Sequence, residues 1–511
     1  MDSKAILKDG LMLSGRRFWA AGFGVAFTYI SASLLGPKGF GLLAILRLIP
    51  SLAVILGIGW VDASCREVLH LRGGGSETVA RHVRDVAYTA EVGVSLLWLL
   101  AILGYSVSVS DWVVRVGLWI AEISLVLTLL IRLMLNDIAI DKDFRLKARV
   151  GFLTAILNFG LGLVAAWFWG ALGLFAALTL VQLVEAVIYQ RAMKFSFRLT
   201  WDKRVLVRLT RIGLPLAALT FFGSATGVNL WIERGIVGSQ GGLEVLGVFV
   251  FSIAVVKQMD IFIGEVMVSY TSHFWERLGK HPAAAEIFAL VRKPSLVLAF
   301  MAAIMGVLVL AILPPLIFTF LAKYRSMLGA LWIFVAGGLV CTLNNIPSIF
   351  LRSAYANRQT YLMVSLMACS LLYAAMLWLM IAKLQLGIPG TAWAVLFLQI
   401  TMCIFSLAKA YPYYIDSFRE DFRFLGEQLL PMALVVGVYG LCHWAVMDLG
   451  YLRSKNELTN ILMVSVPMAM ISLTVLIIWM ERKTSVLNHL YRLIKDRNPA
   501  GQVIPDKSTC L

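Results

Sequence analysis

Leu34-Leu35-Gly36-Pro37-Lys38-Gly39-Phe40-Gly41 joins two apolar runs, and its reading decides the fold. Phe18 to Leu35 is one run of membrane length, and Phe40 to Trp60 is another. A spanning helix needs roughly 20 mostly apolar residues. Gly-Pro followed by two more glycines makes the link a tight, unhelical turn. The stretch therefore predicts a hairpin of two spanning helices, with the charge of Arg47 inside the second. Its outline returns about two hundred residues later, from Ile236-Val237-Gly238 to Gly247.

Such runs recur along all 511 residues, of which 60% are hydrophobic and 14% charged, with mean hydropathy +0.84. A soluble domain has roughly a quarter of its residues charged. The runs are continuous rather than alternating, which predicts helices and excludes a barrel. Spans are expected at about 18–35, 40–60, 86–107, 112–134, 148–168, 172–190, 212–236, 243–263, 291–320, 327–349, 360–382, 390–410, 430–448 and 458–480, about fourteen in all. The expected class is an all-α polytopic membrane protein.

The net charge of +16 is a matter of placement. With the N-terminus inside, 34 of the 45 Lys and Arg fall in cytoplasmic segments and 7 in external ones. Positive charge favours the cytoplasmic side, so both termini are expected there. No nucleic-acid partner is needed to explain the excess. The densest basic stretch, 191–211, is read as a cytoplasmic linker helix on anionic headgroups, with a sharper alternative that it gathers an anionic substrate. Arg16-Arg17 leads into a full span without a cleavage site, so no signal peptide is expected.

The chain repeats itself. At an offset of 206, Gly41 falls on Gly247 and Gly73 on Gly279; at 217, Gly170 and Gly173 fall on Gly387 and Gly390. Spans one to six thus resemble seven to twelve. Six is even, so the copies run the same way through the membrane, as in two-bundle transporters. The expected divisions are a six-helix lobe at 1–190, the linker 191–211, a second lobe at 212–410, and two extra helices with a tail at 411–511.

Charges inside spans usually face a cavity or a partner. Four cations fall there: Arg47, Arg115, Arg132 and Lys257. Arg47 and Lys257 occupy related places in the two repeats. Arg17, Gly24, Thr28 and Ser31 share one small, polar helix face suited to lining water. Arg17, Arg47, Arg115 and Lys257 are the candidate substrate-binding cations. The candidate ion-coupling carboxylates are Glu122, Glu185 and Asp260, with Asp260 expected to pair with Lys257 and no local partner evident for Glu185. Asn229 and Glu233 share a face beside Arg234. The structural alternative for each is a snorkelling charge or an internal ion pair.

Enzyme chemistry finds little support. The six histidines and six cysteines lack metal or nucleophile spacing, and Gly73-Gly74-Gly75 lacks the lysine of a phosphate loop. No metal and no cofactor are expected.

Leu34 to Gly41 after a first span, Gly170-x-x-Gly173, Gly213-Leu-Pro215 and Glu233-Arg234 together resemble bacterial polysaccharide flippases of the Wzx type, within the multidrug/oligosaccharidyl-lipid/polysaccharide (MOP) exporter superfamily. The resemblance covers spans one to twelve. It implies two six-helix lobes that rock about a cationic cavity in the bacterial inner membrane. It implies movement of undecaprenyl-diphosphate-linked oligosaccharide for surface polysaccharide, beside membrane lipids, a polysaccharide polymerase and other assembly proteins. It also implies cavity cations on spans one, two and eight, which Arg17, Arg47 and Lys257 match by position. Two other readings stay open: a cation-coupled multidrug or metabolite antiporter of the same fold, which needs a carboxylate-dominated cavity, and a membrane glycan polymerase, which needs a long external loop.

Overall fold

A computed structural model describes residues 3–51, 59–73, 76–141, 143–223, 228–278, 283–353, 355–356, 358–415, 418–443 and 457–484; within these, only the backbone is described for some residues, Arg17 and Asp260 among them. The described chain is all helical, without strands. Among the described residues, eleven helices are long and apolar enough to cross a membrane, against the fourteen spans expected. Three of the longest helices are broken internally, and this accounts for much of the difference. Gly36 (φ 64°, ψ 176°) interrupts Ser3–Leu46, Gly170 (φ 60°, ψ −142°) interrupts Phe144–Met193, and Gly242 (φ 77°, ψ 175°) interrupts Val228–Leu278. Backbone in this region is essentially restricted to glycine. The breaks reverse the chain. A Cβ on Gly162 would lie 3.2 Å from Leu174 Cδ1, and one on Gly238 would lie 3.4 Å from Leu246 Cδ2. In unbroken helices the rise alone would separate these pairs by more than ~10 Å.

The first hairpin packs most extensively on Val228–Leu278 and Phe144–Met193. Its crossing with the second hairpin is reciprocal. A Cβ on Gly41 would overlap the Leu243 carbonyl, and one on Gly247 would overlap the Pro37 carbonyl. Gly41 and Gly247 are related by the repeat offset of 206, and so are Pro37 and Leu243, and Gly36 and Gly242 with their matching dihedrals. Each backbone rests on the other at its glycine, the self-complementary pattern of a two-fold contact. Only residues without a side chain permit so close an approach. The second offset is also visible: Gly170 and Gly387 both have positive φ, at 60° and 57°.

The basic stretch 191–211 is not the single linker helix expected. Phe144–Met193 ends with Lys194 in the left-handed region, residues 195–202 run as a non-helical strap, and Lys203–Gly223 begins the next helix. Aromatic packing explains the departure. Phe195 and Phe197 sit 6.0 and 5.8 Å from the Tyr88 ring. Thr200 N–H donates to Thr89 Oγ1 at 3.0 Å, and Arg84 donates to the Ser196 carbonyl at 3.1 Å. Asp202 caps the following helix by accepting from Arg204 N–H at 2.9 Å, and it also meets His82 at 3.2 Å.

Buried side chains of the second half form one large core that includes Phe249, Phe300, Phe334 and Phe350. The last two described helices join it. Glu457–Thr484 packs on Ala284–Phe320, with Trp479 edge-on to Phe300 at 5.6 Å, and Arg292 pairs with Glu427 at 3.0 Å.

Candidate functional site

A cavity of about 510 Å³ opens between both arms of the first hairpin, Phe144–Met193 and Val228–Leu278. Gly24, Thr28 and Ser31 line it from the first arm, the small, polar face anticipated from their spacing. Their hydroxyls are satisfied locally: Thr28 donates to Gly24 O at 2.8 Å and Ser31 to Thr28 O at 3.1 Å. Arg47 enters from the second arm at a helical irregularity between Leu46 and Leu48. Pro50 is the local cause, since it cannot bond to the Leu46 carbonyl and its ring crowds that group. Arg47 remains accessible to solvent inside its apolar run, as a cavity-lining cation must.

Three further charges share this wall: Glu233, Arg234 and Lys257. Arg234 donates to the Ala44 carbonyl, which ties the first hairpin to the second, and its guanidinium lies close enough to Arg47 to feel its charge. Glu233 faces Lys257 and Arg234 and accepts a hydrogen bond from Tyr373 at 3.1 Å. Among the described residues, the wall thus carries three cations against one carboxylate. Such a surplus in a membrane-enclosed space suits an anionic guest, and two arginine forks suit phosphate oxygens in particular. A second chamber of about 410 Å³ lies deeper in the second half and shares Glu233 and Lys257 with the first.

The other sequence candidates fall elsewhere. Arg115 is not on the cavity wall; its guanidinium folds onto the Val109 carbonyl at 2.9 Å, at the end of Glu77–Ser108. The reason is proximity, because Trp112–Asp141 begins only three residues before it. Arg132 forms ion pairs with Glu91 at 2.9 Å and Asp62 at 3.1 Å. Glu122 is buried with one oxygen unpartnered, and Glu185 has a partner after all, the Tyr189 hydroxyl one turn on. Neither carboxylate lines the cavity. The side chains of Arg17 and Asp260 lie outside the described residues.

Glu233, Arg234 and Tyr373 were not among the sequence candidates. Glu233-Arg234 lies near the end of an expected span, where a charge is read as facing the membrane surface, although its place in the family resemblance is a usable signal. Tyr373 lies 140 residues away in an apolar helix and gave none.

No family model matches the sequence, and no curated protein matches it either. Solved structures do match. A multidrug resistance MATE family transporter of the MOP superfamily, in its inward-facing conformation, aligns at TM-score 0.59 and 16% identity, over 77% of this chain and 94% of that one. A MATE structure in the straight conformation aligns at 0.53 and 14% identity, over 83% and 96%. A MOP superfamily transporter from Pyrococcus furiosus, described as having a binding pocket of reverse polarity, aligns at 0.53 and 14%, over 82% and 96%. The chain therefore has the fold of MATE transporters of the MOP superfamily.

Proposed function

We propose that this chain moves a lipid-linked oligosaccharide across the bacterial inner membrane by alternating access, holding the diphosphate of its substrate on Arg47, Arg234 and Lys257. The observation that carries the reading is the balance of charge on the cavity wall, three cations to one carboxylate. A cationic drug would meet repulsion there. An antiporter for cations of the same fold is favoured only by Glu233, which is already engaged by Tyr373, Lys257 and Arg234. A polymerase would need a long external loop, and the sequence offers none.

In this reading residues 1–190 and 212–410 are two lobes joined by 191–211, and 411–511 adds two helices and a tail. The reciprocal contact of the two glycine hairpins supports a rocking pivot between lobes of like build. Both termini are cytoplasmic, as the asymmetry of Lys and Arg suggests. The lipid tail stays in the bilayer, because withdrawing it costs ~0.8 kcal/mol for each methylene. The sugar crosses in water between the lobes, to be taken up by a polymerase and other assembly proteins outside. Reconstituted protein should move a fluorescent lipid diphosphate oligosaccharide across vesicles. Transport of organic cations with no movement of that lipid would replace this reading with the antiporter.

A further inference from the structure

We propose that the chamber inside the second half of the chain is a binding site for a small inorganic anion, centred on Arg352 and adjoining the central cavity at Glu233 and Lys257. The chamber of about 410 Å³ is enclosed by Val228–Leu278, Leu328–Leu343, Asn345–Arg352, Gln359–Trp378 and Gly387–Ala410. Its polar lining follows one helical stripe: Cys341, Asn344 and Asn345, Ser348 and Arg352 recur every three to four residues. From Gly337 to Arg352 the stripe extends roughly 22 Å, so the space is a slot along the bundle.

Its charges select the sign of the guest. Among the described residues, the lining holds two cations, Lys257 and Arg352, and a single carboxylate, Glu233. Glu233 is already engaged by the Tyr373 hydroxyl and faces Lys257 and Arg234. Arg352 has no carboxylate partner among the described residues. Neutral donors and acceptors line the same chamber, among them the amides of Asn344, Asn345 and Gln399 and the Ser348 hydroxyl. A cation entering the slot meets a guanidinium with no carboxylate partner among the described residues, whereas an anion completes it; basic side chains act this way in anion pores. The Asn344 Oδ1 is buried without a hydrogen-bond partner and is available to a water of the anion's hydration shell. The apolar walls of Leu362, Leu366, Leu398 and Met402 leave little for a large organic anion to bond with, so the guest is a halide or phosphate ion.

The test uses the full chain in lipid nanodiscs. Thermal unfolding is followed as sodium gluconate is replaced by sodium chloride, and separately by sodium phosphate, at fixed pH and ionic strength. One of the two anions should raise Tm in a saturable way. Arg352→Gln should weaken the half-saturating concentration at least tenfold, and Arg352→Lys should weaken it less. Arg47→Gln, in the central cavity, should leave it unchanged. Ser348→Leu, which fills the slot, serves as an independent variant and should abolish the effect. No response to either anion, an unaltered response in Arg352→Gln and Ser348→Leu, or loss of the response in Arg47→Gln alone would each overturn the proposal. The last outcome would put the anion in the central cavity.

Discussion

In the proposed function Glu233 sets how strongly the central cavity attracts an anion, because among the described residues it is the one carboxylate opposing Arg47, Arg234 and Lys257 on that wall. Glu233→Gln keeps the hydrogen bond from Tyr373 but leaves the cations unopposed. The expected result is tighter binding of a diphosphate lipid with slower release, seen as a lower half-saturating concentration and a lower maximal flux in vesicles. Arg47→Ala removes a guanidinium and should weaken binding by on the order of 1.5–3 kcal/mol, about ten- to hundred-fold. Arg47→Lys keeps the charge but not the fork, and should fall between. Equilibrium binding of a short-chain diphosphate lipid measures all three variants. Arg47 and Lys257 were legible in the sequence because a charge inside an apolar run has few places to go. Arg115 and Arg132 obeyed the same rule yet found local partners, a carbonyl and two carboxylates that spacing does not reveal. Arg234 sat where a run ends, so its inward turn onto Ala44 depends on a contact between hairpins far apart in sequence.

At the scale of elements, the crossing of the two glycine hairpins and the strap over Glu77–Ser108 carry the testable consequences. Gly41→Ala or Gly247→Ala drives a methyl group into a carbonyl of the other hairpin. Each should destabilise the protein by about 1–3 kcal/mol, the range for overpacking. Gly160→Ala, where a Cβ meets nothing within 4 Å, should be nearly neutral. Thermal unfolding in detergent separates the two outcomes. In the strap, the His82 ring holds the Asp202 carboxyl below the usual carboxylate range, helped by the backbone N–H groups of Val205 and Arg204. A carboxylate so lowered contributes stability above its unfolded pKa, which is lost as pH falls through the folded value. The strap should therefore stay docked from neutral pH down to about pH 4 and loosen below it, near or under the ordinary aspartate pKa of ~3.9. Hydrogen exchange across residues 195–202 as a function of pH would register the change; equal protection at pH 7 and pH 3 would contradict it. The hairpins were legible because Gly-Pro and repeated glycines announce a turn. The strap was not, because Phe195 and Phe197 suit a membrane surface as well as they suit the Tyr88 ring.

At the scale of the whole molecule, the order of apolar runs and the repeat at offsets of 206 and 217 foretold an all-helical membrane protein of two related bundles. Hydrophobic length is dictated by the bilayer and survives sequence drift, which is why the fold persists at 14 to 16% identity. The substrate does not follow from the fold, since one fold can host unrelated functions and the site decides between them. The proposed orientation, with both termini cytoplasmic, rests on the asymmetry of Lys and Arg. A Lys38→Cys variant should react with an impermeant thiol reagent added to intact cells stripped of their outer membrane. Reaction only after the cytoplasmic face is opened would invert the topology.

In the proposed function the cations of the cavity wall hold the diphosphate of a lipid-linked glycan. The most direct measurement is export of glycan to the cell surface by cells carrying the Arg47→Ala, Lys257→Ala double variant at normal membrane levels. The account predicts loss of surface glycan with lipid-linked oligosaccharide accumulating on the inner leaflet. Undiminished export by that variant would contradict it.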